Sequence, residues 1–259
     1  MAPVKPKKSL GQHFLTDKNI AAKIAGSLSG KGYDHLIEIG PGTGVLTEFL
    51  IGKEKNVTFI EIDSESAAYL RSRFPQVIDR IIEDDFLKYP LGKIHNEPVA
   101  IIGNFPYNIS SQIFFKILEN RHLVREVVCM LQREVAKRIA SPPGTKTYGI
   151  LSVLLQSYYE IEYLFSVGQQ VFIPPPKVTS AVIRMRRREN FRLNCNEVLF
   201  FKVVKTAFNQ RRKMLRNSLG SLLNSNEADN PMFSKRPEQL SVDDFIKLTV
   251  HIDSLSSSG

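Results

Sequence analysis

Between His35 and Ala140, short apolar runs alternate with stretches of helical periodicity, joined by short connections. Neighbouring parallel strands need a crossover, usually a helix. The alternation therefore predicts an α/β domain: a Rossmann-like parallel sheet with helices on both faces. Strands are expected at 35–39, 56–62, 77–82, 99–103 and 124–130, and helices at about 45–52, 64–74, 110–120 and 131–140. A basic arm, residues 1–17, precedes a helix over about 18–29 that Asp17 is placed to cap. Residues 150–166 are apolar and aromatic, without a period that decides between helix and strand. Residues 172–177, Phe-Ile-Pro-Pro-Pro-Lys, read as stiff and extended. Residues 179–187 alternate apolar with basic and read as an edge strand. Helical patterns at about 196–208, 211–223 and 241–250 follow. The expected division is 1–188 for an α/β domain and 189–259 for a small all-α domain.

Charge separates the two parts. The chain of 259 residues carries a net charge of +9. Between Arg184 and Arg216, eleven basic residues face two acids, Glu189 and Glu197, so this segment alone carries +9 and the remainder is neutral. A basic block on a neutral body points to a polyanion. Arg184, Arg186, Arg187, Arg188, Arg211, Arg212 and Lys213 are the candidate phosphate contacts. No apolar run nears the roughly 18 residues of a membrane span. The N-terminal lysines are not followed by the apolar run of a secretory signal, and the two cysteines, Cys129 and Cys195, make no disulfide framework. A reducing cytoplasm is expected. The five histidines show no metal-ligand spacing.

The chemistry centres on Asn104-Phe105-Pro106-Tyr107, just after the apolar run 99–103. Pro106 fixes its own φ and holds Phe105 extended, and a serine is expected to cap the following helix. An amide and an aromatic ring then sit on a stiff loop at the carboxyl end of a strand, where open α/β sheets place ligands. The Asn104 side-chain oxygen and the Pro106 carbonyl are acceptors, and the Tyr107 ring offers a stacking face. That set suits an exocyclic amine on a nucleobase, whose lone pair is delocalised into its ring.

A second site precedes it. Glu38-Ile39-Gly40-Pro41-Gly42-Thr43-Gly44 joins a strand to a helix. Its glycines let a ligand approach the backbone, and the helix start offers N–H groups. The spacing is neither that of a dinucleotide fingerprint nor that of a P-loop. Glu61 ends the second strand, where a carboxylate can take both ribose hydroxyls. Asp85 ends the third, where it can accept from an adenine amine. An adenosine without a pyrophosphate points to S-adenosylmethionine, its sulfonium near the glycines and facing Asn104.

These residues fall into motifs that resemble the ribosomal RNA adenine N6-dimethyltransferases of the KsgA type, related to the Erm resistance methyltransferases. The motifs are 8–15 (Lys-Ser-Leu-Gly-Gln-His-Phe-Leu), 38–44, 59–63, 84–86, 104–110 and 172–178. The resemblance spans nearly the whole chain. It implies a class I S-adenosylmethionine-dependent fold with a helical RNA-binding domain. It also implies dimethylation of the N6 amines of two adjacent adenines in a terminal hairpin loop of small-subunit (16S) rRNA, during small-subunit biogenesis. No metal is implied, and the immature small subunit is the expected partner of a monomer. By this resemblance His13, Leu15, Gly40, Gly42, Glu61, Asp85, Phe86 and Asn104 contact the cofactor. Asn104 and Pro106 hold the target amine, while Tyr107 and Phe172 cover the two faces of the base. His13 stands where the family often has Asn, and Phe105 is assigned shape rather than chemistry. The alternatives are an Erm-type enzyme acting on large-subunit rRNA, and an assembly factor whose methylation is secondary.

Overall fold

The computed structural model describes residues 4–52, 56–223 and 231–256. The strands in chain order are β1 (Phe14–Leu15), β2 (His35–Ile39), β3 (Val57–Glu61), β4 (Ile81–Glu83), β5 (Val99–Asn104), β6 (Val124–Gln132), β7 (Tyr159–Val167), β8 (Phe172–Ile173) and β9 (Ser180–Arg187). The helices are α1 (Lys18–Ala25), α2 (Thr47–Ile51), α3 (Ser64–Arg73), α4 (Ser110–Glu119), α5 (Arg133–Ala140), α6 (Ile150–Tyr158), α7 (Glu197–Asn209), α8 (Leu215–Ser218) and α9 (Val242–Ser256). The chain divides into two units: residues 1–136 with 161–187, and residues 137–160 with 188–259.

The first unit is built on a seven-stranded sheet of order β4-β3-β2-β5-β6-β9-β7. The pairs from β4 to β6 are parallel, whereas β9 runs antiparallel to β6. The sheet is therefore mixed, not purely parallel. Every residue of β3, and all but the ends of β2 and β5, is buried. Successive strand residues face opposite ways, so both faces are covered. Strand β9 is not the expected edge: it lies between β6 and β7. Its basic side chains mimicked the alternation of a half-solvated strand.

Local signals set most boundaries. Asp17 accepts from the amides of Asn19 (2.8 Å) and Ile20 (3.1 Å) and caps α1. Ser110 does not cap α4: it is that helix's first residue, and its hydroxyl donates to the Tyr107 carbonyl (3.3 Å). The expected third strand is shortened, because residues 75–80 form 3-10 turns that begin at Pro75, a residue suited to a helix start. The apolar stretch 150–166 divides into α6 and β7.

The second unit is helical, with Phe200, Phe233 and Phe245 fully buried. Helix α7 packs on α9, and α6 packs on both. The expected boundary at 188 would leave 137–160 in the first domain. The structure places them in this unit, where buried Leu151, Val153, Leu154 and Leu155 belong to its core.

Candidate active site

Strands β3 and β4 lie to one side of β2, and β5 and β6 to the other. The order of winding reverses between β2 and β5, and ligands bind at the carboxyl ends of strands at such a switch point. Gly103 lets those two strands close up there: a Cβ on it would sit 2.5 Å from the Ile39 carbonyl oxygen. The loop after β2 and the loop after β5 therefore share a mouth.

That mouth is a cleft lined by His13, Gly40, Gly42, Glu61, Asp85, Phe86, Asn104, Pro106 and Tyr107 among others. Gly40 has φ of +62°, and a Cβ added to it would meet no atom within 4 Å, so only cavity lies beside its backbone. Glu61 is 2% exposed. Its two oxygens accept from the amides of Gly42 and Asp63, both at 2.9 Å, and burial raises its carboxyl above the ordinary value. A carboxylate has about four lone-pair sites, so this rigidly held acid can also serve a diol. Asp85 accepts from the Leu87 amide (2.9 Å), and Phe86 and Ile62 supply apolar flanks. A diol acceptor, an acid for an exocyclic amine, apolar flanks and an unobstructed glycine fit S-adenosylmethionine.

On the other side of the cleft, Asn104 Nδ2 donates to the His13 carbonyl (2.8 Å). This fixes which end of the amide is the donor and leaves Oδ1 as the acceptor end. The Pro106 carbonyl accepts from the Ile109 amide at 3.2 Å. Phe105 is fully buried and meets Phe114 edge-on, with centroids 5.9 Å apart. Tyr107 hydrogen-bonds through its hydroxyl to Ser180.

Two expected residues are not in this cleft. In the β1–β8 pair, Leu15 stands opposite Phe172, and both are in the hydrophobic core, 6% and 2% exposed. Side chains alternate along a strand, so Phe14 lines the cleft and Ile173 is exposed while Leu15 and Phe172 point inward. Leu15 lines a smaller neighbouring cavity with Glu38 and Asn104. Phe172 does not cover this cleft.

The side chains of the basic block differ in their partners. In the first unit, Arg184 is tied to the Ser27 carbonyl (3.1 Å) and to Glu162 (2.6 Å), and Arg186 pairs with Glu162 (2.9 Å). Arg187 donates to the carbonyls of Arg121 and His122. In the second unit, Arg188 donates to the Gln156 carbonyl (3.2 Å) and Arg211 to that of Thr145 (3.3 Å). Arg212 and Lys213 are exposed.

One group escaped the sequence reading. Lys7 and Gln12 both donate to Asp63, as does Ser66, and Asp63 is 3% exposed. Burial alone would raise the Asp63 carboxyl, but the hydrogen bonds from Lys7, Ser66 and Gln12 outweigh it and hold it below its ordinary value. This latch fastens the arm over the cleft, whose lining includes Leu10, Gly11 and Gln12. Motifs 8–15 and 59–63 each contain a partner, but only the fold pairs them.

The comparisons agree with this geometry. The family described as Ribosomal RNA adenine dimethylase matches residues 4–252. The Ribosomal RNA small subunit methyltransferase A of Flavobacterium johnsoniae is 57% identical over 255 residues, covering 98% of each chain. A dimethyladenosine transferase from Plasmodium falciparum superposes with a TM-score of 0.81 at 25% identity, covering 94% of this chain and 98% of that one. The 23S rRNA methyltransferase ErmE superposes with a TM-score of 0.67 at 25% identity, covering 91% and 99%. With the glycine loop, Glu61 and Asn104 lining one cleft and a family match across almost its whole length, this chain belongs to the ribosomal RNA adenine dimethylase family.

Proposed function

We propose that the chain transfers methyl groups from S-adenosylmethionine to the N6 amines of two adjacent adenines in a hairpin loop of small-subunit rRNA. Its substrate would be the immature small subunit, which it would meet in the cytoplasm as a monomer. The bond from Asn104 Nδ2 to the His13 carbonyl carries the reading. With Nδ2 engaged there, the amide oxygen would be the end that meets a target amine, and an amine that gives up hydrogens needs acceptors.

S-adenosylmethionine, when bound, supplies an electrophilic methyl group. Glu61 and Asp85 would hold its ribose and adenine, with Gly40 and Gly42 at the sulfonium end and Phe86 against the base. Asn104 Oδ1 and the Pro106 carbonyl would accept from N6 of the target, localising its lone pair on nitrogen, and Tyr107 would stack on the ring. Such catalysis rests on positioning and oriented dipoles. No strong base need act before attack, because the amine loses its proton during or after alkylation. A covalent thiolate route has no support. Cys129 is fully buried, and burial pushes its thiol far up. Burial, then Glu197 and Asp253, push the Cys195 thiol up to about 11. Arg212 and Lys213 would meet phosphate, which makes binding salt-sensitive.

The test offers immature small subunits, large subunits and naked RNA with radiolabelled S-adenosylmethionine, followed by digestion to nucleosides. N6,N6-dimethyladenosine from small subunits alone is expected. Label on large-subunit RNA would replace this reading with an Erm-type one. Subunit binding without transfer would leave an assembly factor. Asn104→Ala should lower turnover about 100-fold or more, with cofactor affinity retained.

A further inference from the structure

His13 is the residue whose side chain the cofactor reading explains least. Its ring stacks on the Tyr107 ring, with centroids 5.5 Å apart and planes 26° apart. Its Nδ1 lies 2.7 Å from the Pro174 carbonyl oxygen. A carbonyl only accepts, so Nδ1 carries the hydrogen. Only the backbone of His13 meets Asn104. On the far edge, the Tyr107 hydroxyl is hydrogen-bonded to Ser180, a fully buried residue of β9. Tyr107 is thus held at its hydroxyl by Ser180 and on one face by His13, and His13 is itself anchored on the segment that follows β8.

We propose that the side chain of His13 is a positioning residue for the target base rather than a cofactor ligand: it backs one face of Tyr107 so that the other face is a fixed stacking platform. This rests on the reading of Tyr107 as the residue that stacks on the adenine. An aromatic ring without support turns about its side-chain torsions, and fixing it is an entropic cost the base would otherwise bear at each binding event. The stack on His13 bears that cost when the protein folds. The backbone carbonyl that orients Asn104 is present whatever residue stands at position 13, so substitution separates the platform from the amide acceptor.

The experiment measures kcat on immature small subunits and the Kd for S-adenosylmethionine in His13→Ala, His13→Phe, Ser180→Ala, Tyr107→Ala and Tyr107→Ala/His13→Ala, each checked by thermal melting. His13→Ala is expected to lower kcat about tenfold with cofactor Kd changed less than about twofold. His13→Phe keeps a ring against Tyr107 and should recover most of the loss. Ser180→Ala should lower kcat several-fold with cofactor affinity retained. In the Tyr107→Ala background, His13→Ala should cost less than about twofold, since no platform remains to support. A large rise in cofactor Kd in His13→Ala, with kcat restored at saturating cofactor, would overturn the inference, as would a full-size His13 effect without Tyr107. A Tyr107→Ala enzyme with unchanged kcat would instead remove the stacking role on which the inference rests.

Discussion

Phe105 shows how a residue inside a reactive motif can serve shape alone. Its ring is fully buried against Phe114 while its neighbours Asn104 and Pro106 line the cleft. Phe105→Ala should cost about 3–5 kcal/mol, whereas Phe105→Leu should cost about 1 kcal/mol and keep turnover; denaturant titration with parallel methyl transfer checks both. Glu38 carries a different signature. It is 1% exposed and accepts from the Thr47 hydroxyl at 2.7 Å. Burial pushes its carboxyl from 4.5 up to about 8. The folded chain therefore holds a proton there that the unfolded chain releases above pH 4.5. The stability tied to this proton is full below pH 4.5 and is lost as pH rises through about 8, by up to about 1.4 kcal/mol for each pH unit. Glu38→Gln should flatten that fall. Urea midpoints of both proteins at pH 5 and at a pH above 8 measure it.

At the scale of elements, the arm and the end of β3 behave as one device. The arm reaches the cleft through Leu10, Gly11 and Gln12, and Lys7 and Gln12 fasten it to Asp63. A buried carboxylate holds its donors through charge-assisted hydrogen bonds, and it is Asp63, not the more exposed Lys7, that is out of reach of water. Asp63→Asn should loosen the arm. The expected signs are faster amide hydrogen exchange over residues 8–12 and cofactor affinity weakened about three- to tenfold. Exchange unchanged by the substitution would show that the arm is held by other contacts.

For the whole molecule, the discontinuous second unit is the main consequence. Helix α6 lies upstream of β7 in the chain yet packs on α7 and α9. A fragment of 189–259 would lack α6 and leave uncovered the apolar surface of α7 and α9 on which it packs. Expressed alone it should fail to fold, with little helical circular dichroism and no cooperative melt. The charge of this unit has a separate readout. Arg212 and Lys213 are exposed, and their double replacement by Gln should reduce the slope of log affinity for rRNA against log salt by about 2. Arg184, held by Ser27 and Glu162, should affect folding stability instead.

What the sequence determined alone is the part that depends on neighbours along the chain. Alternating apolar runs and helical periods specify a wound sheet, and the glycine loop, Glu61, Asp85 and Asn104 each lie at or just past the carboxyl end of a strand, so a parallel sheet gathers them at one edge wherever the strands fall in order. What only the tertiary structure decided depends on residues far apart. The pairing of β1 with β8 turned Leu15 and Phe172 into the core, because one step along a strand exchanges inside for outside. The insertion of β9 between β6 and β7 made an apparent edge strand an interior one. Arg184 and Arg187 found carbonyl partners 157 and 66 residues away, which no local charge count could separate from Arg212 and Lys213. Side-chain chemistry is legible in sequence, but which way a side chain faces is set by its partner strand or helix.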